Sequence, residues 1–244
     1  MKVLVAPQKV GVGMATNLDT VQEQRPLVVG FTEMDLGKSS FVPLVASTLG
    51  PTYDVRSDDI GVHSEEIPVA VRTGARCRVL SSSVVSISPD VGVKGVGNDR
   101  YLATVRFSYF DRTYVVMHTH TDAVIQNLHT GRMLKNQRVT VTAAAMQALE
   151  DRAAAVLADP TVTALWVTGD FNYLPVDPQI EWVHSPQATF RRLGLTFENS
   201  RVIYLAWSAG VALRGDIEEI GAHTTRNASD HGWLIGRFRR VATP

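Results

Sequence analysis

Apolar residues in this chain fall mostly into short runs of roughly four to eight residues, and run after run ends abruptly on a polar or charged side chain. The pattern is clearest at Ala164-Leu165-Trp166-Val167-Thr168, which stops at Gly169-Asp170-Phe171-Asn172. It reads as a buried strand that delivers an acid to the rim of a sheet. Asp170 and Asn172 are two residues apart, so an extended backbone points both to one side. Val10 to Thr16, with Val10, Val12 and Met14 alternating, is expected as a first strand ending at Asn17, and Leu27 to Phe31 as a second ending at Thr32-Glu33.

Further strands are expected at Ile67 to Val71, Arg78 to Ile87, Arg201 to Trp207, Ile217 to Ala222 and Gly232 to Arg239. Tyr101 to Tyr109 and Thr113 to Met117 form a hairpin around Asp111-Arg112, and its second strand runs into His118-Thr119-His120-Thr121-Asp122. Helical spacing appears in Lys38 to Leu49, in Leu134 to Asp159 and briefly in Gln187 to Leu193. Asp54 to Glu66, Pro89 to Arg100 and Tyr173 to Ser185 read as loops. Strands interleaved with helices make this an α/β (α+β) chain, and 1–244 is taken as a single domain.

Composition narrows the function. Charges balance to a formal net charge of zero, so a protein gripping long nucleic acid through its overall field is excluded and any polyanion contact must be local. Only five of the 24 basic residues are lysine (Lys2, Lys9, Lys38, Lys94, Lys135), a bias toward the better bidentate phosphate ligand. Cys77 is the single cysteine, which rules out an internal disulfide and a cysteine-based zinc site. The patch Val3-Leu4-Val5-Ala6 is cut at Pro7, too short for a signal peptide or membrane span. A cytoplasmic, monomeric protein with no membrane partner is expected.

The strand ends carry the chemistry: Asn17, Glu33, His120, Asp170 with Asn172, and Asp230 with His231 in Ser229-Asp230-His231. If they gather at one edge, the site holds three carboxylates, two imidazoles and two amides, with no nucleophilic cysteine or serine elbow. Carboxylate and amide oxygens suit a hard cation such as Mg2+. Histidines beside it suit proton transfer at a phosphoryl group. His118 and His120, at i and i+2, share a face and could also ligate a metal.

Glu33 in Val-Gly-Phe-Thr-Glu, His120 in Val-Val-Met-His-Thr-His, Gly169-Asp170-Phe171-Asn172 and Ser229-Asp230-His231 occur in an order and spacing that resembles the endonuclease/exonuclease/phosphatase superfamily, which includes deoxyribonuclease I. The resemblance spans about Val10 to Phe238. It implies a four-layer fold, two packed mixed β-sheets with helices outside. It also implies that Asn17, Glu33 and Asp230 hold Mg2+ or Mn2+, and that Asp170 orients or deprotonates the attacking water. Asn172 would hold that water or the phosphate, His120 would act at the scissile phosphate or leaving group, and His231 would bind phosphate or act as a base. One departure stands out. Where the family usually has an aspartate orienting the last histidine, this chain reads Arg201-Val202-Ile203-Tyr204-Leu205. Asp216 or Glu218 could substitute, and His120 has no evident acid partner.

These features point first to a Mg2+-dependent phosphodiesterase acting on DNA, a nuclease. A small-molecule or lipid-headgroup phosphatase is the alternative within the same chemistry. A binding protein that has lost catalysis is the alternative outside it, for which Ile203 is the positive hint.

Overall fold

The computed structural model describes residues 1–7, 14–34, 40–60, 64–88, 100–123, 125–127, 130–175, 181–214, 218–220 and 233–241, with 6–7, 14–17 and 218–220 described by backbone alone. Two sheets pack face to face. The first contains β1 (Lys2–Pro7), β2 (Val28–Thr32), β3 (Tyr53–Arg56), β4 (Val69–Arg72), β11 (Val211–Leu213), β12 (Glu218–Ile220) and β13 (Trp233–Arg240). Its order is β11-β13-β1-β2-β4-β3, with β12 also paired to β13. The second contains β5 (Cys77–Ser86), β6 (Tyr101–Tyr109), β7 (Arg112–His120), β8 (Val162–Asp170), β9 (Thr196–Ser200) and β10 (Ile203–Trp207), in the order β5-β6-β7-β8-β10-β9. Both sheets are mixed: β1 pairs with β2 and β7 with β8 in parallel, and their other pairings are antiparallel.

Side-chain alternation builds three apolar layers from these strands. Inward residues, including Val3, Val5, Val28, Val69, Val71, Tyr101, Phe107, Tyr114, Val116, Trp166, Ile203, Leu205 and Leu234, fill the space between the sheets. The outward residues Leu4, Val29, Phe31, Ala70 and Ile235 pack with Leu18, Val21, Val45 and Leu49 of α1 (Met14–Gln24) and α2 (Val42–Leu49). On the other side Val115, Met117, Leu165, Val167, Tyr204 and Ala206 pack with Ala145, Met146, Leu149 and Phe190 of α3 (Gln137–Leu157) and α4 (Pro186–Arg192). The result is a four-layer α/β/β/α sandwich. Asn136 and Ser185 cap α3 and α4, their side chains accepting from Val139 N and Ala188 N.

The first strand is a correction. Residues 14–16, expected at the end of a strand, belong to α1, and Asn17 sits in its first turn; 10–13 lie outside the described residues. The strand is instead Lys2–Pro7, enclosed between β13 and β2. A strand covered on both faces needs no alternation, so its sequence reads as a bare apolar run. The expected loop 54–66 holds β3 and a 3-10 turn, Ser64–Glu66. β9 and β11 were not expected.

Gly30 of β2 lies directly against the His118 ring of the facing sheet. A Cβ there would lie 2.3 Å from His118 Nδ1. Gly30→Ala is expected to destabilise the fold by about 1–3 kcal/mol, read as a lower midpoint in urea, because the fully buried imidazole cannot retreat.

Candidate active site

The site continues the inward-facing series of three strands. Along β7 the inward positions run Tyr114, Val116, His118, His120; along β8, Ala164, Trp166, Thr168, Asp170. Both begin as core and end as chemistry. His118 is in register with Thr168 and His120 with Asp170 on these parallel neighbours, so the imidazole and carboxylate pairs lie side by side. From the facing sheet, Val28, Gly30 and Thr32 of β2 share the inward face, and Glu33 follows at φ 59 as the chain leaves the strand.

His118 is not a ligand. Its Nε2 lies 2.8 Å from Phe31 O, a carbonyl that can only accept, so Nε2 carries the proton. Nδ1 then accepts from the Thr168 hydroxyl at 2.8 Å. Both nitrogens of His118, read from the sequence as able to ligate a metal with His120, are therefore engaged: Nε2 ties the two sheets through Phe31, and Nδ1 bonds to Thr168 within its own sheet. Burial drives its pKa down from 6.5 to about 4, with the charge of His120 adding to the fall and the backbone at Phe31 and Thr168 opposing it. A depressed imidazole contributes stability that is complete above pH 6.5 and is lost as pH falls through 4. The unfolding free energy should drop by about 3 kcal/mol across that window on this account, and His118→Gln should flatten the drop in pH-dependent urea titrations.

His120 differs in every respect but burial. Its Nδ1 donates to Glu66 Oε1 at 2.5 Å, which leaves Nε2 as the nitrogen available to a substrate. Burial alone would lower its pKa, but the charge and hydrogen bond of Glu66 prevail, Asp170 adds to them and Arg100 subtracts, raising it to about 9. At neutral pH the ring is an imidazolium. The stabilisation this pair supplies is full below pH 6.5 and is lost as pH rises through about 9.

Glu66 is the acid partner that the sequence had not shown, and it comes with two more residues. Arg100 Nη1 approaches Glu66 Oε2 at 3.4 Å, and its Nη2 donates to Asp122 Oδ1 at 2.8 Å. Asp122, Arg100, Glu66 and His120 thus alternate in sign along one chain, buried at Asp122 and His120 and partly exposed at Arg100 and Glu66. The backbone fixes it from several sides: Met34 N donates to Glu66 O at 3.2 Å and Arg100 N to Ser88 Oγ at 2.6 Å.

Asp170, only 2% exposed, accepts from Asn172 N at 2.9 Å, and Asn172, at φ 48, donates Nδ2 to Thr121 O at 2.8 Å. The tight turn holds the carboxylate at the strand end and leaves Asn172 Oδ1 to accept from a water. Ile203 is the register partner of Asp170 on β10, fully buried and facing inward. An aliphatic residue therefore occupies the place beside Asp170 where an acid was missed. Asp230, His231 and Asp216 lie outside the described residues, and the side chains of Asn17 and Glu218 are not described. Of the expected set, the structure brings together His120, Asp170 and Asn172, with Glu33 at the end of the facing β2.

Around this mouth Thr32 Oγ1, Arg100 Nε and Asp122 Oδ2 are buried without a hydrogen-bond partner among the described residues. Such atoms are rare in folded proteins and are satisfied by waters or ligands where they occur.

Comparison with solved structures matches this layout over nearly its whole length. An endonuclease/exonuclease/phosphatase protein from Bacteroides vulgatus aligns at a TM-score of 0.69 and 12% identity over 98% of both chains. The chain has the endonuclease/exonuclease/phosphatase fold. A mannosyl-6-phosphatase of Bacteroides thetaiotaomicron aligns at 0.67 and 13% over 98% of this chain and 99% of that one. TDP2 of D. rerio, complexed with a single strand DNA product, aligns at 0.63 and 13% over 98% of both. No protein-family model and no curated protein matches the sequence. No helix among the described residues is long and apolar enough to cross a membrane.

Proposed function

We propose that this endonuclease/exonuclease/phosphatase-fold protein is a metal-dependent phosphodiesterase that hydrolyses DNA. The observation that carries the reading is the placement, at one end of the sandwich, of the Asp170 carboxylate in register with His120, whose ring Glu66 holds protonated. Asp170 would accept the proton of the attacking water as its oxygen bonds to phosphorus. The Nε2 proton of His120 would pass to the departing oxygen as the other phosphorus–oxygen bond breaks, with Glu66 stabilising the charge on the ring throughout. Asn172 would hold the water against Asp170.

A Mg2+ or Mn2+ ion suits the proposed donors Asn17, Glu33 and Asp230, because all three offer oxygen and the neighbouring buried Thr32 hydroxyl has no hydrogen-bond partner among the described residues. Among the described residues no three His, Cys, Asp or Glu side chains cluster as metal ligands, and Asp230 and the side chain of Asn17 lie outside them. When bound, the ion would supply charge neutralisation at the phosphoryl oxygens.

The choice of DNA rests on local cations. A bridge between Gln126 and Met133 and the bond Leu134 N to Ile125 O draw 131–135 against the segment that follows His120. Exposed Arg132 and Lys135 are thereby set near the mouth, and Arg138 reaches the Ala123 carbonyl at 3.3 Å. The zero net charge and the likeness to a mannosyl-6-phosphatase favour the second reading, a small-molecule phosphatase. Parallel assays on oligonucleotides and sugar phosphates separate them. A nuclease should lose affinity for DNA steeply with salt, and Arg132→Gln with Lys135→Gln should raise KM on DNA alone. Phosphate release from sugar phosphates with no cleavage of DNA would favour the phosphatase.

A further inference from the structure

We infer that the end of the sandwich opposite the candidate site is a docking face for an anionic lipid surface. The formal charges cancel over the chain, but the fold does not mix them evenly. β7 and β8, each nine residues, carry His120 and Asp170 at one end, so their other ends lie roughly 30 Å away. Arginines gather at that far end. Arg72, which closes β4, donates to the Arg25 carbonyl, and the amino group of Met1, which donates to the Phe238 carbonyl, is lowered in pKa by burial first and then by the charges of Arg214 and Arg72. Arg76 and Arg78 flank Cys77 at the start of β5, and Arg112 opens β7. Arg239 and Arg240 close β13 opposite Ala212 and Val211. None of these eight arginines forms an ion pair among the described residues, and all but Arg72 are exposed. Glu23 and Asp111 adjoin them in sequence and offset only part of the charge, while Asp159 is held by Arg106 at 2.6 Å.

Apolar exposure at the same end decides the kind of polyanion. Of the seven exposed large hydrophobic residues among those described, Phe110 (48%) and Val241 (46%) lie at this end with Leu80 and Leu157 at its margin, and Leu44, Ile60 and Val183 lie elsewhere. Phe110 forms the β6–β7 turn with Asp111, both at positive φ (49 and 60), a turn that asparagine or glycine would make at lower cost. Arg76 lies over its ring at 4.6 Å. A phosphodiester backbone has no use for protruding aliphatic and aromatic side chains, whereas a bilayer interface takes them up beside its anionic headgroups. Val241 borders a shallow depression of about 630 Å³ lined by Arg112 and Arg240, which joins the hairpin to the β13 arginines. Docked this way, the protein would hold its candidate site toward the aqueous side. The sequence excluded a spanning segment, but a peripheral face assembled from five separate segments is visible only in the fold.

The test is sedimentation of the full chain with phosphatidylcholine vesicles, with and without phosphatidylserine, beside fluorescence anisotropy on duplex DNA. Binding should require phosphatidylserine and weaken with salt. Arg239→Gln with Arg240→Gln should lower vesicle partitioning roughly thirty-fold, at about five-fold per arginine near such a surface. Phe110→Asn, a residue at home in that turn, should lower it several-fold with the unfolding midpoint unchanged or raised. Absence of phosphatidylserine-dependent binding at low salt would overturn the proposal. So would variants that bind like the parent, or duplex DNA binding sensitive to these substitutions without vesicle binding, which would make the face one for nucleic acid.

Discussion

Asp170→Asn is expected to reduce phosphodiester turnover by about 10²–10⁴-fold while leaving the fold intact. The amide keeps the oxygen that accepts from Asn172 N at 2.9 Å, and the shape at the 2%-exposed position hardly changes. What it loses is the ability to take a proton from water. Ile203, paired with Asp170 and buried beside it, offers no alternative base. Steady-state kinetics should show the loss in kcat with little movement of KM, since the carboxylate acts on the water and not on the substrate's phosphates. A variant retaining most of its kcat would remove Asp170 from the proton transfer.

His120→Ala should cost a comparable factor, but the more informative change is Glu66→Gln. Glu66 is what holds His120 protonated up to about 9. Without that charge, burial prevails and the imidazole should lose its proton at a lower pH. The alkaline limb of kcat/KM should therefore move down from near pH 9 toward or below 6.5, so that the variant is most active at acid pH and its deficit grows as pH rises. The sign follows from the role: an imidazolium that donates is lost by deprotonation. An unshifted alkaline limb would mean that His120 does not act as the acid. Both variants should be compared for unfolding midpoint, because Glu66 is also contacted by Arg100 at 3.4 Å.

Much of this arrangement could be read from the chain, and the parts that could not have physical reasons. Asp170 and His120 were visible because a parallel strand pair brings two carboxyl-terminal ends to one rim, and each strand announces its end by a polar residue after an apolar run. Glu66 and Arg100 were hidden by the same logic applied one way. They precede β4 and β6, which run antiparallel to β2 and β7, so it is where those strands begin that they meet the rim. A carboxylate just before an apolar run, Ser64-Glu65-Glu66-Ile67, was the available signal. His118 looked like a partner of His120 because period-two spacing gives the face and not the depth. One step deeper along the strand, the ring lies between the sheets with Gly30 making room for it. The start of α1 misled because Met14, the last of three alternating residues with Val10 and Val12, opens a helix, and three such residues are too few to establish a strand.

The most direct measurement is incubation of the purified protein with supercoiled plasmid in Mg2+ or Mn2+, with EDTA and the Asp170→Asn variant run in parallel. The account predicts conversion to nicked circles in the metal-containing samples, abolished by EDTA and nearly abolished by the substitution. Plasmid that stays supercoiled at every metal and salt condition, or nicking that persists with EDTA or in the variant, would contradict it.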